Sequence, residues 1–404
     1  MGNMPKCILI ITGGILQIPA IIEAKNMGLK SIVTDKNKNA PCMKLADQSY
    51  AIDIFDIESH LKLLNKIQKK NKIVGVFTEG SEATVTVASI AKQLKLPGIS
   101  ISGAQNCKNK FKTREILQKN NIPIPKWEVV KNLNEFYEAV KKIKFPLIVK
   151  AADNSASRGT TKKYDNKNLK SSFDLARNNS SNGLVLVEEL CFGSEQSVEI
   201  LFDKEKCYDL NIVDRYFSKN KWAVELGHVN PTKLDINDKE KLFQITRKAA
   251  KAMKIKFGVF KADTMITEKG PIIIEVTPRL SGGFDSQKST PISSGRNFIR
   301  AAMRLSVGLN LEQKDLTHQW AKYCAVWAIN AKKGNIKKIS GILEVNKIKG
   351  IKEIILVKNK GDFLDTIKDS GSRPGYVVAE GQTYHMALRR AKKGAKMIKF
   401  EVEN

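Results

Sequence analysis

No C-x-x-C pair occurs in these 404 residues, and the six cysteines (Cys7, Cys42, Cys107, Cys191, Cys207, Cys324) stand far apart. That excludes a zinc knuckle and argues against a disulfide framework, so a reducing, cytoplasmic setting is expected. Long apolar runs are missing too. The first, residues 7–11, is too brief for a signal core or a membrane span, and no export or anchoring segment is expected. Acidic residues are scarce, 41 against 69 basic ones, which leaves a formal charge of +28. Such an excess raises the question of nucleic acid. Here lysine far outnumbers arginine and is spread along the whole chain, often in pairs such as Lys69-Lys70, Lys141-Lys142 and Lys337-Lys338. That pattern describes a solvated surface with weak, salt-sensitive attraction for polyanions, without a specific nucleic acid or a membrane as partner. Two nucleotide signatures are also absent. G-x-x-x-x-G-K-[ST] occurs nowhere, and of G-x-G-x-x-G only Gly13-Gly14 is present, with Asp35 ending the next strand. A Walker loop is excluded and a nicotinamide site is disfavoured.

What is there fits two or three packed domains with ample apolar content. β-rich stretches at 6–12, 30–34 and 73–77 alternate with helical ones at 17–27 and 59–69, the pattern of a parallel α/β sheet. A second block follows Pro97-Gly98. It holds a helix at 110–119, strands at 147–151 and 184–189, and a hairpin at 258–277. From about Gln319 a third block has strands at 323–330, 351–357 and 376–380 and a final helix at 384–397.

The hairpin carries the sharpest local signal. With Lys269 as the turn centre, Asp263 and Glu275 are equally distant from it and stand opposite each other. Cross-strand partners have Cβ atoms roughly 4.5–5.5 Å apart, and two like charges there destabilise the sheet unless something neutralises them. Magnesium suits hard carboxylate oxygens at that spacing and takes its other ligands from water and phosphate. Alternation puts Glu275, Thr277 and Arg279 on one face, with Arg279 as a cation for an anionic substrate. The other reading is an exposed hairpin with scattered charges, which the apolar run 272–274 opposes.

Lys150 ends a strand and is followed by the polar loop 151–160, in which small and hydroxyl residues (Ser155, Ser157) and Arg158 offer amides and charge to phosphate. A plain surface connection is as good a reading of that loop alone. The strand at 184–189 runs through Glu188-Glu189-Leu190 to Glu195 and doubles back, which suits main-chain bonds to a base and a carboxylate on a ribose, or a hairpin edge. Glu79 and Glu82, after the strand at 73–77, stand where open α/β sheets bind ligands, or in a helix's first turn, where acids are favoured. His228 lies in a loop upstream of the hairpin, to touch substrate or to serve the structure.

In this order the pieces resemble the ATP-grasp superfamily over essentially the whole chain. The resemblance implies an N-terminal parallel Rossmann-like domain (1–107), a central α+β ATP-grasp domain (108–318) and a small C-terminal α+β domain (319–404). It implies that Lys110 and Lys150 reach the α and β phosphates and that the loop 153–160 closes over them. The main chain at Glu188, Glu189 and Leu190 would bind adenine, Glu195 the ribose, and Asp263 and Glu275 magnesium, for which manganese can substitute. Where many members have E-x-N-P-R this chain has Glu275-Val-Thr-Pro-Arg279, so the third metal ligand is the Thr277 hydroxyl or is absent. The phosphate loop contains a single glycine, Gly159. Ser281-Gly282-Gly283-Phe284, 334–341 and 372–375 resemble carboxylate–amine ligases such as amino-acid ligases, with Arg279 and Lys150 as charge stabilisers. The expected reaction is ATP-dependent activation of a small carboxylate as an acyl phosphate, captured by an amine, in a chain compatible with a homodimer. The alternatives are a bicarbonate-activating carboxylase or carbamoyl-phosphate-synthetase-like enzyme, and a nucleotide-binding sensor without turnover.

Overall fold

The computed structural model describes residues 4–154, 157–204 and 206–403. The first sheet is parallel, in the order β3-β2-β1-β4, from β1 (Lys6–Ile11), β2 (Lys30–Asp35), β3 (Gln48–Ala51) and β4 (Lys72–Phe77). Strand β1 buries five of its six residues because helices cover both faces of a parallel sheet. The helix Ile57–Ile67 shows how those covers form. Asp56 caps it by accepting from the Ser59 amide at 2.9 Å, and His60, Leu63, Leu64 and Ile67 turn one face inward. Asp35, expected at the end of β2, accepts from the Gly13 amide at 2.7 Å. A Cβ on Gly13 would lie 3.1 Å from the Asp35 Cβ, so glycine permits this close turn and the carboxylate is spent on it.

The second sheet is antiparallel, in the order β5-β8-β6-β7, from β5 (Trp127–Val130), β6 (Leu147–Ala151), β7 (Thr161–Lys163) and β8 (Val185–Glu189). It has its own core, in which Phe136, Phe173, Val149 and Val187 meet.

The third sheet runs through the centre of the molecule. From β9 (Ser194–Asp203), β10 (Lys206–Phe217), β11 (Glu225–Asn230), β12 (Gly258–Thr267) and β13 (Gly270–Thr277) it continues into β14 (Tyr323–Ala328). With β15 (Gly334–Ser340), β16 (Ile351–Leu356), β17 (Phe363–Leu364), β18 (Gly375–Gly381) and β19 (Lys399–Glu403) placed in the chain, the order is β13-β12-β9-β10-β11-β14-β18-β16, antiparallel throughout. The final helix, Tyr384–Met397, packs on β14 and β18, and β15 forms a small sheet with β17 and β19. The C-terminal block thus extends the same sheet that carries the hairpin 258–277.

The hairpin pairs Asp263 with Glu275, but not by the expected route. Its turn is the two residues Glu268 and Lys269, since Thr267 pairs with Gly270. That register alone would set Asp263 against Ile274. A bulge between Asp263 and Thr264 leaves Ile274 unmatched and moves Glu275 into place.

Candidate active site

A cleft of about 1300 Å³ opens between the second and third sheets, with the C-terminal ends of the parallel strands on one wall. Partners in an antiparallel sheet point to the same face. One row across the third sheet is therefore Glu275, Asp263, Ser197 and Val213, and the next is Met265, Glu195, Arg215 and His228. All eight line the cleft.

Lys110 is the first residue of the helix Lys110–Lys119, which the Asn109 side chain caps through the Lys112 amide. Its Nζ lies 2.7 Å from Glu275 Oε1. Burial pushes the Glu275 carboxyl up, but Lys110, with Lys150 and Lys261, outweighs it and holds the group at about 2. Burial lowers Lys110 in turn, and Glu275 more than restores it. Asp263 is met by Arg215 at 2.7 Å and Lys261 at 2.6 Å. The opposed carboxylates are thus each neutralised by cations.

The fit to magnesium rests on the donors. Two carboxylates face each other across one rung, and Thr277 Oγ1, on the same strand, is buried without a hydrogen-bond partner. Among the described residues no group of three or more His, Cys, Asp or Glu side chains gathers to form a cage. The protein side therefore suits a hard cation that completes its shell with phosphate and water.

Lys150, on β6, reaches Glu188 on β8, and Arg114 reaches the same carboxylate from the helix. All three are buried. Burial lowers Lys150, and it raises Glu188 but is overcome there by Arg114 and Lys150. The Glu188 side chain is therefore a buried strut. The amides of Glu189 and Leu190, expected near a base, already donate to Lys126 and Pro146 at 2.9 and 3.0 Å. Burial, opposed by Arg215, pushes Glu195 up to about 7. In the phosphate loop Ser157 donates to the Ala223 carbonyl at 2.6 Å and Arg158 Nε to Asn154 Oδ1 at 2.8 Å. Ser155 lies outside the described residues.

Across the cleft Arg279 donates to the Ser81 and Leu280 carbonyls at 3.0 and 2.9 Å, with Glu82 3.9 Å away. Gly282 and Gly283 line the wall beside it. Ser281, nearly buried, gives its amide to Glu199 at 2.7 Å. Glu79 departs from expectation. It is fully buried beneath the cleft and accepts from Gln287 at 2.7 Å, because the chain turns at Gly80 and carries only Ser81 and Glu82 into the cleft. Burial pushes its carboxyl well above the usual range.

His228 is on β11, not in a loop. It is buried on the cleft wall, with Nδ1 4.0 Å from Glu225 Oε1 and Nε2 3.0 Å from Ser289 Oγ. Burial drives the imidazole down to about 4. Sequence reasoning missed Arg215, Glu225, Lys261 and Arg373. The strand periodicity of 206–217 and 225–230 was the available signal. Arg373 was out of reach, because it comes from the C-terminal block and donates to the Glu225 carbonyl at 2.9 Å.

The ATP-grasp domain family matches residues 107–283, and L-amino acid ligase C-terminal domain 2 matches 327–403. The chain is 26% identical to a formate-dependent phosphoribosylglycinamide formyltransferase of Prochlorococcus marinus subsp. pastoris, over 98% of each chain. A formyltransferase of the same name from Methanococcus vannielii is 23% identical, over 98% of this chain and 97% of its own. Among solved structures it resembles L-amino acid ligase from Bacillus licheniformis, with TM-score 0.84, 21% identity and full coverage of both chains. Phosphoribosylglycinamide synthetase from Anaerococcus prevotii follows at TM-score 0.74 and 23% identity, over 98% and 100%. The first match spans both lysines, the opposed carboxylates and Arg279, and the second spans Arg373. The chain thus contains an ATP-grasp domain at 107–283, followed at 327–403 by a match to L-amino acid ligase C-terminal domain 2.

Proposed function

We propose that this chain is an ATP- and magnesium-dependent, ADP-forming ligase that activates an amino-acid carboxylate as an acyl phosphate and joins it to an amine. The observation that carries the reading is the convergence, on one cleft, of Lys110, Lys150, the opposed Asp263–Glu275 pair and Arg279. Asp263 and Glu275, with Thr277 beside them, would hold magnesium, which would supply charge neutralisation for the phosphates; manganese would replace it. Phosphoryl transfer of this kind depends on positioning and electrostatics rather than on covalent chemistry by the protein. Lys110 and Lys150 hold the phosphates, and the main chain at 188–190 with Glu195 holds the nucleoside. Ser157 and Arg158 serve the loop that covers it. Arg279 faces the substrate carboxylate and the charge that builds on it during transfer.

Amino acid is favoured over bicarbonate by the opposite side of the substrate wall. Glu225 Oε1 and His228 Nδ1, 4.0 Å apart, are too far from each other for a hydrogen bond and suit one ammonium group set between them. Glu82 adds negative charge near Arg279. Cytoplasmic residence and a homodimer complete the proposal.

Glu275→Gln keeps the shape of the side chain and removes its charge. Magnesium-dependent ADP release should fall by at least a hundredfold while the circular dichroism spectrum is unchanged, and near-normal turnover would sink the reading. Pairwise screening of amino acids and amines for ADP release then identifies the substrates. Release that needs bicarbonate but no added amine would point to a carboxylase instead, and nucleotide binding without turnover to a sensor.

A further inference from the structure

Behind the cleft wall the chain forms a single π-helical turn, Asp285–Ser289, entered by Phe284 at φ +73°. Such turns are uncommon and recur at functional sites, because the wider turn redirects side chains. Three of its side chains tie separate parts of the molecule together. Gln287 reaches Glu79 of the first domain, Ser286 reaches Glu199 on β9 at 3.1 Å, and Ser289 reaches His228.

Ser289 can give its proton to His228 or to Asp285, and the carboxylate is the stronger acceptor. Its hydroxyl has a single proton and lies 3.0 Å from Asp285 Oδ1 and 3.2 Å from the Asp285 carbonyl. Asp285 Oδ1 also receives Asn230 Nδ2 at 3.2 Å and Thr290 Oγ1 at 3.3 Å, so its surroundings are built of donors. With the hydroxyl proton directed to Asp285, Ser289 Oγ becomes an acceptor, while the two protons of Asn230 Nδ2 serve Thr290 Oγ1 at 2.9 Å and Asp285 Oδ1. His228 Nε2, 3.0 Å away, must then hold a proton. A neutral imidazole has one donor and one acceptor, which leaves the lone pair on Nδ1, the nitrogen beside Glu225. Asp285 Oδ2 is buried without a partner. Burial, reinforced by Glu199, pushes the Asp285 carboxyl up to about 8, and Oδ2 is the oxygen left to hold that proton, so that Oδ1 stays an acceptor.

We infer that Asp285 and Ser289 are positioning residues that fix the His228 tautomer, so that the wall formed by His228 and Glu225 offers only hydrogen-bond acceptors to the substrate. That wall would select a substrate bearing N–H donors and reject one presenting a carboxylate or ether oxygen there. The selectivity rests on the amino-acid ligase reading; the tautomer does not.

The test uses the full chain labelled with 15N-histidine, in which four histidines give a resolvable long-range proton–nitrogen spectrum, with His228→Gln to assign the signal. Wild type should show a protonated Nε2 and a bare Nδ1 at His228, and Ser289→Ala should shift it to a mixture. A proton on Nδ1 in wild type overturns the inference, and an unchanged Ser289→Ala spectrum removes Ser289 from it. In the ligase assay, Ser289→Ala should raise KM for the amino acid about tenfold, the effect of one misaligned hydrogen bond, with kcat within about twofold. Discrimination against the methoxy-acid analogue, whose ether oxygen can only accept, should shrink to match, and an unaltered ratio of the two KM values counts against selection by this wall. Should Ser289→Ala fail to fold, the wild-type spectrum alone decides the tautomer. Should no carboxylate support turnover, the functional reading falls and the spectrum still decides this one.

Discussion

Single carboxylates in this molecule owe their roles to what neutralises them. Glu188 is shared by Arg114 and Lys150, all three with side chains exposed by 9% or less. Replacing it with alanine leaves two buried cations unpaired, a change that costs about 3–5 kcal/mol. The denaturant midpoint of Glu188→Ala should fall accordingly, and a loss below about 1 kcal/mol would mean that water reaches the lysine and arginine more easily than their burial indicates. Glu225 supplies a pH test. Burial pushes it up, but Arg215, 3.0 Å away, outweighs burial and holds it at about 2. Its unfolded value is about 4.3, so the unfolded chain takes up the proton first as pH falls. The stabilisation is present above that value and is lost as pH descends towards 2. Urea midpoints measured over that range should fall less steeply for Glu225→Gln than for wild type, and parallel curves would show that Arg215 does not discriminate the charged form. These partners could not be read from the chain. Glu79 looked available for a ligand and is spent on Gln287, a contact set by folding across 208 residues.

Elements were more legible than their joints. The helix Lys110–Lys119, the strand Leu147–Ala151 and the closing helix Tyr384–Met397 follow from capping, period and proline stops, which are local properties. The hairpin shows the limit. Sequence symmetry about Lys269 paired Asp263 with Glu275 correctly, yet the turn is centred half a residue earlier and the bulge at Ile274 makes up the difference. No composition rule announces that bulge. Its carbonyl is held by Arg114 Nη2 at 2.6 Å, a contact from a distant helix. The loop between β8 and β9 is fixed in a similar way. Gly193 packs so closely on β12 that a Cβ there would lie 2.0 Å from the Ile266 carbonyl oxygen. Gly193→Ala must push that loop off the strand, at a cost of about 1–3 kcal/mol, and misplace the stretch proposed to hold the nucleoside. ATP affinity measured by calorimetry should weaken about tenfold or more, and unchanged affinity would remove the 190–193 loop from the nucleotide site.

At the scale of the molecule, the third sheet decides which parts act together. The sequence separates a C-terminal block at residue 319, where the helical connection ends, and nothing local shows that β14 adds to β11. The pairing sets Val229 opposite Ala325 and His228 opposite Val326. Tyr384, at the start of the last helix, donates to Asp214 on β10 at 2.9 Å, and Arg373 enters the cleft. Substrate wall and C-terminal block therefore share one backbone ladder. The second sheet, by contrast, has a core of its own. Contiguous ladders open as cooperative units, whereas a separately cored layer can open first. Native-state hydrogen exchange should give the amides of β11 and β14 the same opening free energy, with those of β6 and β8 lower or independent. Magnesium with ATP should raise protection in both sets, because the proposed nucleotide site has walls on both sheets, while an amino acid alone should raise it only in β11 and its neighbours. A C-terminal block that exchanges ahead of β11 would show that it docks on the ligase core rather than completing it, and Arg373 would then belong to a closing part instead of a standing wall.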